Sequence, residues 1–464
     1  MHDHAVTTAP ASHRFLTILS LGLAATVAIW ALGYIALMQP GLLLGEVIFI
    51  LMLGCLVAAG IVLGRSTARG ALASAIDGAL VGIVSAIYNL LIVGSLFGSD
   101  EGGIAAQAAI WWVPGTFIGS ALLAGIGALI GQRLPRGRPF DGYALLTRVV
   151  VIAAFLLLTS GGIVTGFEAG LAVPDWPNSF GHNMILYPLT QMTTPEAIAE
   201  GVHYEHAHRL YGMLVGFAAI TLVIAAFAHD RRGWMRTLVV IALVMVIIQG
   251  LMGGFRVTKL SLLLAVSHGV FGQIFFATLI AIAVVTSRTW RAGAARVRHA
   301  SAGFDRRFSL LLVALLIGQL MLGAFYRHMK TDPEFATGLL HMILTGHIVV
   351  ATIIITAAIM LGVRIASTYR DHPPLAFLGT ALMAITGFQY LLGFGALVVV
   401  LGAATAESTS VIRVIVTTMH QATGALLLGC LTMLVLWLHR LLEPVDVPDP
   451  EKIKARQLAR RATA

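Results

Sequence analysis

Charge is scarce in this 464-residue sequence: Asp, Glu, Lys and Arg together make up 11% of it, and only 21 residues are acidic. Soluble domains carry about 25% charged residues, so a chain of soluble domains is excluded. Cysteine is nearly absent. Cys55 and Cys430 each lie inside an apolar run, which excludes a disulfide framework, a cysteine-rich zinc site and thiol chemistry. No segment alternates polar and apolar residues as a membrane strand would. Nor does the N-terminus follow the Arg-rich amphipathic pattern of a transit peptide. Its apolar run is longer than a signal-peptide core and no A-x-A site follows, so it is expected to stay as the first span.

What is present is apolar: 58% of residues are hydrophobic and the mean hydropathy is +0.90. About 20 apolar residues cross a bilayer as a helix. Twelve segments qualify, at roughly 14–38, 43–64, 71–97, 108–132, 147–166, 206–228, 236–255, 263–287, 308–326, 340–363, 375–402 and 412–438. The expected fold is an all-α polytopic membrane protein. The net charge of +9 sits beside apolar runs, which makes it a topology signal and not a nucleic-acid footprint. With the N-terminus inside, 24 of the 30 Lys and Arg residues fall on the inner side. Both termini are then cytoplasmic. The six outer cations are Arg209, Arg256, Lys259, Arg327, Lys330 and Arg413. Lipid headgroups or an anionic ligand would each account for them.

A repeat organises the last eight spans. "QGLMGGF" at Gln249, "QLMLGAF" at Gln319 and "QYLLGFG" at Gln389 recur every seventy residues, each a Gln-x-x-x-Gly set with both residues on one helix face. Histidine opens each following inward helix: "HGVFG" at His268, "HIVVA" at His347 and "HQATG" at His420, with "HRLYG" at His208 as the fourth member. The residue four positions later is always Gly or Ala, which leaves room for a flat bulky group. Tetrahedral zinc is the competitor, but its ligands usually come at short spacings. Two imidazole pairs on facing apolar helices suit haem iron better. The pairs are His208 with His268 and His347 with His420, and the outer cations would meet haem propionates.

These residues resemble the haem A synthase family, membrane enzymes that convert haem O to haem A for cytochrome oxidase. The resemblance covers about 147–440 and rests on "GGIVTGFEAGLAVPDWP", "EHAHR", "QGLMGGFRVT" and the helix-opening histidines. It implies two similar four-helix halves, 141–300 with a substrate-haem site and 301–464 with a haem b site. Residues 1–140 form four extra spans outside it. The implied oxidation turns a porphyrin methyl into a formyl group through hydroxylated intermediates, with oxygen from water. Glu205, His208 and Arg209 fall on the family's glutamate-x-x-histidine-arginine motif. Glu205, His208 and His268 are the implied catalytic residues, the four histidines are the metal ligands, and haem b is the cofactor.

Three departures stand out. Where many members have a cysteine pair, this sequence has Val173 and Ser179 or its neighbours, so a thiol role is absent. Ile348, not arginine, follows His347, which makes His341 a rival ligand; Ala351 favours His347 because it completes the repeat. The first four spans carry no readable motif, and a packing or assembly module is the plain reading.

Glu205 and His208 share a helix face, where the carboxylate would accept protons, orient water or stabilise a developing cation. A salt-bridging or capping role is the plainer alternative. The helix dipole favours its charged form and desolvation opposes it. His203 and His206 lie off that face and read as interfacial or loop residues. Asp175 and Trp176 lie in an outer loop stiffened by Pro174 and Pro177. Trp176 would cover a porphyrin face or anchor at the interface. Arg209, Arg256 and Lys259 are propionate partners for the first site, and Arg327, Lys330 and Arg413 for the second; Asp332 and Glu334 offer local pairing to Lys330. His2, His4, His13, His229, His299, His372 and His439 read as solvated.

The expected setting is a bacterial cytoplasmic membrane with haem near the outer face. Haem O synthase and cytochrome oxidase assembly proteins are the implied partners besides haem O and the bilayer, and an oligomer is compatible with the chain. Two other functions use the same features: a non-catalytic di-haem electron carrier, and a haem transporter.

Overall fold

The computed structural model describes residues 11–38, 42–67, 69–97, 102–137, 139–192, 194–293, 295–330, 337–402 and 410–445. Asp332, Glu334, His2 and His4 lie outside them. The first four helices are α1 (Ala11–Met38), α2 (Leu42–Ser66), α3 (Ala71–Phe97) and α4 (Gly102–Arg133). The next group is α5 (Gly142–Gly166), strands β1 (Asn178–Ser179) and β2 (His182–Asn183), short α6 (Leu189–Met192) and α7 (Pro195–Glu200), then α8 (Val202–His229), α9 (Gly233–Lys259) and α10 (Leu262–Thr286). Short α11 (Arg288–Ala292) and β3 (Val297–His299) lead to α12 (Ala302–Met329), α13 (Thr337–Thr368), α14 (Pro373–Gly402), α15 (Val411–Leu441) and β4 (Leu442–Pro444).

Among the described residues, twelve helices are long and apolar enough to cross a membrane, and the chain is an all-α polytopic membrane protein. Most helices run past the apolar windows read from sequence, because polar interfacial residues continue the same hydrogen-bonded spiral. Thus α8 begins at Val202 and holds Glu205 in its first turn. The exceptions to an all-helical chain are two small pairings, an antiparallel hairpin of β1 with β2 and a parallel pair of β3 with β4. The expected divisions at 140 and 300 fall just before α5 and α12.

Local chemistry sets several boundaries. Asp141 caps α5 by accepting from Ala144 N at 3.1 Å, and Ser261 caps α10 by accepting from Leu264 N at 3.3 Å. Gly201 at φ 76° ends α7 and starts α8, a left-handed turn that a side chain would disfavour.

The first four helices pack through small residues. Gly60 and Gly64 on α2, and Gly78 and Gly82 on α3, lie directly against backbone of α4 at Ser120, Ala124 and Ala128, so a β-carbon on any of them would strike that helix. Hydrocarbon gives no hydrophobic drive between helices, so close backbone approach of this kind holds them together. Helix α1 joins this group to the rest: Ser20 Oγ donates to Gly142 O at 2.7 Å. Further along it, Trp30 and Tyr34 pack edge-on against Tyr211 of α8, with centroids 5.3 and 5.8 Å apart.

Helices α5, α8, α9 and α10 form one bundle, and α12 to α15 form a second. The seam between them runs along α15, where Gly162 and Gly166 of α5 admit Thr418 and Val414. At the arginine-rich end, buried Asp77 is held by Arg14 and by Arg69 at 2.8 Å. Buried Asp305 takes Arg364 Nε at 2.6 Å and the Tyr369 hydroxyl at 2.5 Å.

Candidate functional site

The opposite end of the bundles gathers the four repeat histidines into two pairs. The ring centroids of His208 on α8 and His268 on α10 stand 6.5 Å apart, and those of His347 on α13 and His420 on α15 also stand 6.5 Å apart. Their planes cross at 81° and 76°. Each ring lies against a glycine of the preceding helix. A β-carbon on Gly161, Gly253, Gly323 or Gly393 would stand 2.9–3.0 Å from Cε1 of His208, His268, His347 or His420 respectively. The glycine of the Gln-x-x-x-Gly repeat is therefore the seat of an imidazole. Gly161 serves the same purpose in α5, where no glutamine announces it.

Two of the glutamines brace the histidine backbone from the side. Gln249 Nε2 donates to His268 O at 2.7 Å and Gln319 Nε2 donates to His347 O at 2.8 Å. At α10 and α15 the small residue one turn beyond the histidine makes room for this amide: Gly272 faces Gln249 Nε2 and Gly424 faces Gln389 Nε2. This corrects the expectation of bare space there. Gly212, one turn beyond His208, has nothing within 4 Å of its β-carbon direction.

The Nδ1 contacts define the first pair's chemistry. His268 Nδ1 lies 3.1 Å from Gln249 O, a carbonyl that can only accept. Ser160 Oγ donates to Leu157 O at 2.8 Å and lies 2.9 Å from His208 Nδ1, so Nδ1 is the donor there too. Both rings then carry their lone pair on Nε2, the tautomer that a metal ligand requires. In the second bundle His347 Nδ1 lies 2.9 Å from Gln319 Nε2, and His420 Nδ1 has no hydrogen-bond partner among the described residues. His341 is exposed and lies outside the pair.

The fit to a porphyrin iron follows from this geometry. Two metal–nitrogen bonds of about 2 Å, plus the distance from each nitrogen to its own ring centre, span about the separation seen in both bundles. The described residues contain no group of three or more His, Cys, Asp or Glu able to hold a metal ion.

Glu205 and Arg209 build a clamp on the loop after α5. Glu205 is 4% exposed; its Oε2 accepts from Val173 N at 2.8 Å and its Oε1 accepts from Arg209 at 2.6 Å. Arg209 also donates to Val173 O at 2.7 Å, Asp175 O at 2.7 Å and Asn178 O at 3.1 Å. Asp175 in turn accepts from Phe180 N and Gly181 N, both at 2.7 Å. The loop so held lays the Trp176 indole on Gly254, beside the seat of His268.

The outer cations do not divide into the two sets expected. Arg209 is committed to loop carbonyls and Glu205. Lys259 is exposed, 5.2 Å from the Phe255 ring centre, and Lys330 donates to Val400 O at 3.4 Å. Arg256, Arg327 and Arg413, from both bundles, converge instead on residues 165–170. Arg256 lies against Gly170, Arg327 donates to Thr165 O, and Arg327 and Arg413 approach Glu168 at 3.8 and 3.5 Å. The distances between these residues along the chain hid the convergence.

Other residues depart from the sequence reading. His203 and His206 are 5% and 0% exposed; His206 Nδ1 lies 3.2 Å from Ser179 Oγ. His13 and His229 approach each other at 6.4 Å, and His299 packs on Tyr369 at 5.0 Å. Three residues beside the pairs went unread: buried Ser160, exposed Glu168 and half-buried His328, the last within electrostatic reach of His268, Arg256 and Arg327.

Residues 143–337 match the COX15-CtaA family, described as Cytochrome oxidase assembly protein. A protein named Heme A synthase from Listeria monocytogenes serotype 4a (strain HCC23) is 26% identical over 142 residues, 30% of this chain and 43% of that protein. One of the same name from Listeria innocua serovar 6a (strain ATCC BAA-680 / CLIP 11262) matches to the same extent. The chain thus aligns with less than half the length of these curated relatives. The matched segment takes in the first bundle, with Glu205, His208 and His268, and ends before His347.

Proposed function

From the match of residues 143–337 to the COX15-CtaA family, we propose that the chain is a membrane oxidoreductase of the haem A synthase family that converts haem O to haem A. The observation that carries this reading is the matched pair of histidine pairs, each 6.5 Å apart and each seated on glycine. In this reading the first pair holds the substrate haem O and the second holds haem b. The histidine end faces away from the cytoplasm in a bacterial cytoplasmic membrane, with both termini inside.

A bound haem b would supply one-electron redox capacity. The protein's own groups do the rest. Nδ1 contacts from Ser160 and the Gln249 carbonyl orient the first-site imidazoles. The loop clamped by Glu205 and Arg209 sets Trp176 over the site and excludes bulk water. Glu205, three residues before His208, is the proton acceptor beside the reacting methyl, oriented by Arg209.

The carrier alternative draws on one observation: both carboxylate oxygens of Glu205 already bind protein, as a structural residue's would. Co-expression with a haem O synthase, followed by pigment extraction, tests the enzyme reading. Formyl porphyrin is expected; its absence, with haem O present and the protein folded, would refute it.

A further inference from the structure

The sequence assigned the outer arginines to two separate porphyrin sites. Their placement supports another arrangement. Arg256 comes from α9 of the first bundle, Arg327 from α12 and Arg413 from α15 of the second, and all three reach one short segment, residues 165–170. That segment begins at the last turn of α5 and turns on Glu168, whose φ of 60° places it in the left-handed region. Backbone bonds hold this turn, with Glu168 N donating to Thr165 O at 3.1 Å and Ala169 N to Val164 O at 3.0 Å. The Glu168 side chain is thereby set between Arg327 and Arg413, yet it remains 49% exposed and at ion-pair distances longer than a good charge-assisted bond. Arg256 makes no hydrogen bond among the described residues. Two guanidinium groups at the end of apolar helices thus face one loosely held carboxylate, with a third, Arg256, two residues along the same segment at Gly170, and partly desolvated positive charge of this kind favours further anions.

The geometry points to a single carboxylate-binding site at the seam between the bundles, shared by the acid groups of porphyrins in both halves, with Glu168 as a resident anion that those groups displace. This rests on the haem reading above and deepens it. The arginines would not serve one porphyrin each; a carboxylate arriving from either side meets the same three groups. Glu168 is then a competitor with a defined sign. Neutralising it should strengthen binding of an acidic porphyrin, whereas an ordinary structural ion pair would weaken or leave unchanged the binding of anything nearby.

The test compares iron protoporphyrin with its dimethyl ester, in which both acids are blocked, by titrating purified full-length protein depleted of pigment and following the Soret band. The unmodified protein should bind the free acid at least about tenfold more tightly than the ester, the scale of one charge-assisted hydrogen bond. Arg327→Gln and Arg413→Gln should each shrink that ratio, and Glu168→Gln should enlarge it by tightening the acid and leaving the ester unchanged. Glu168→Gln removes only a charge, so it decides the matter even where an arginine variant fails to fold. A ratio that none of the three changes, with the bis-imidazole spectrum intact for both compounds, overturns this inference and leaves the haem reading standing. Failure of both compounds to give that spectrum overturns both.

Discussion

Gly161 sits so close beneath His208 that a β-carbon would stand 3.0 Å from the imidazole Cε1. The glycine sets the depth of the ring against α5, and the same contact recurs at the other three histidines. The ring's position is therefore fixed by what the neighbouring helix lacks.

Alanine at this seat must push the ring outward. Gly161→Ala or Gly253→Ala should disturb the first pair, and Gly323→Ala or Gly393→Ala the second, at an overpacking cost of about 1–3 kcal/mol. Absorption spectra of the purified variants should show the corresponding haem weakened or lost, and thermal unfolding should register the cost. Unchanged spectra in all four would mean the seats do not matter.

The two pairs should separate by function. His347→Ala or His420→Ala should leave purified protein without haem b, whereas His208→Ala should abolish the formyl product with haem b retained. Retention of the full haem complement by a His347→Ala/His420→Ala double variant would contradict the ligand assignment.

Glu205 discriminates between enzyme and carrier. Glu205→Gln keeps an acceptor for Val173 N but gives up the charge facing Arg209, a loss of about 1.5–3 kcal/mol for a charge-assisted bond. Formation of haem A should fall sharply with haem b content unchanged; a carrier would keep its electron-transfer rate.

Acid stability offers a check away from the site. Burial alone would raise the Asp230 carboxyl, but hydrogen bonds and charge from Arg232 outweigh it and hold the group below its usual 3.8. A depressed carboxylate contributes stability that is fully present above its unfolded value and is lost as pH falls through the folded one. The gap in melting temperature between the native protein and Asp230→Asn should therefore be widest near neutral pH and close below about pH 4. A gap that widens on acidification would reverse the sign argued here.

Much of the fold was legible because lipid leaves few choices: apolar runs become helices, and their count and order follow. The histidine pairs were legible because a seventy-residue repeat places the same residue types at the same depth. Gly161 was not, since α5 carries Leu157 where its counterparts carry glutamine, and only packing reveals the shared seat. The commitment of Arg209 to Val173, Asp175 and Asn178 was hidden as well, because those acceptors are backbone carbonyls of an irregular loop. The burial of His206 has the same source: the hairpin brings Ser179 over it.

The contact of Trp30 and Tyr34 with Tyr211 has a mechanical consequence. Tyr211 lies three residues along α8 from His208, so the appended helices grip the rod that carries this imidazole. A sideways tilt of α1 would be passed to that ring as a change of pitch, making the leading spans a brace for the His208 imidazole as well as ballast in the bilayer.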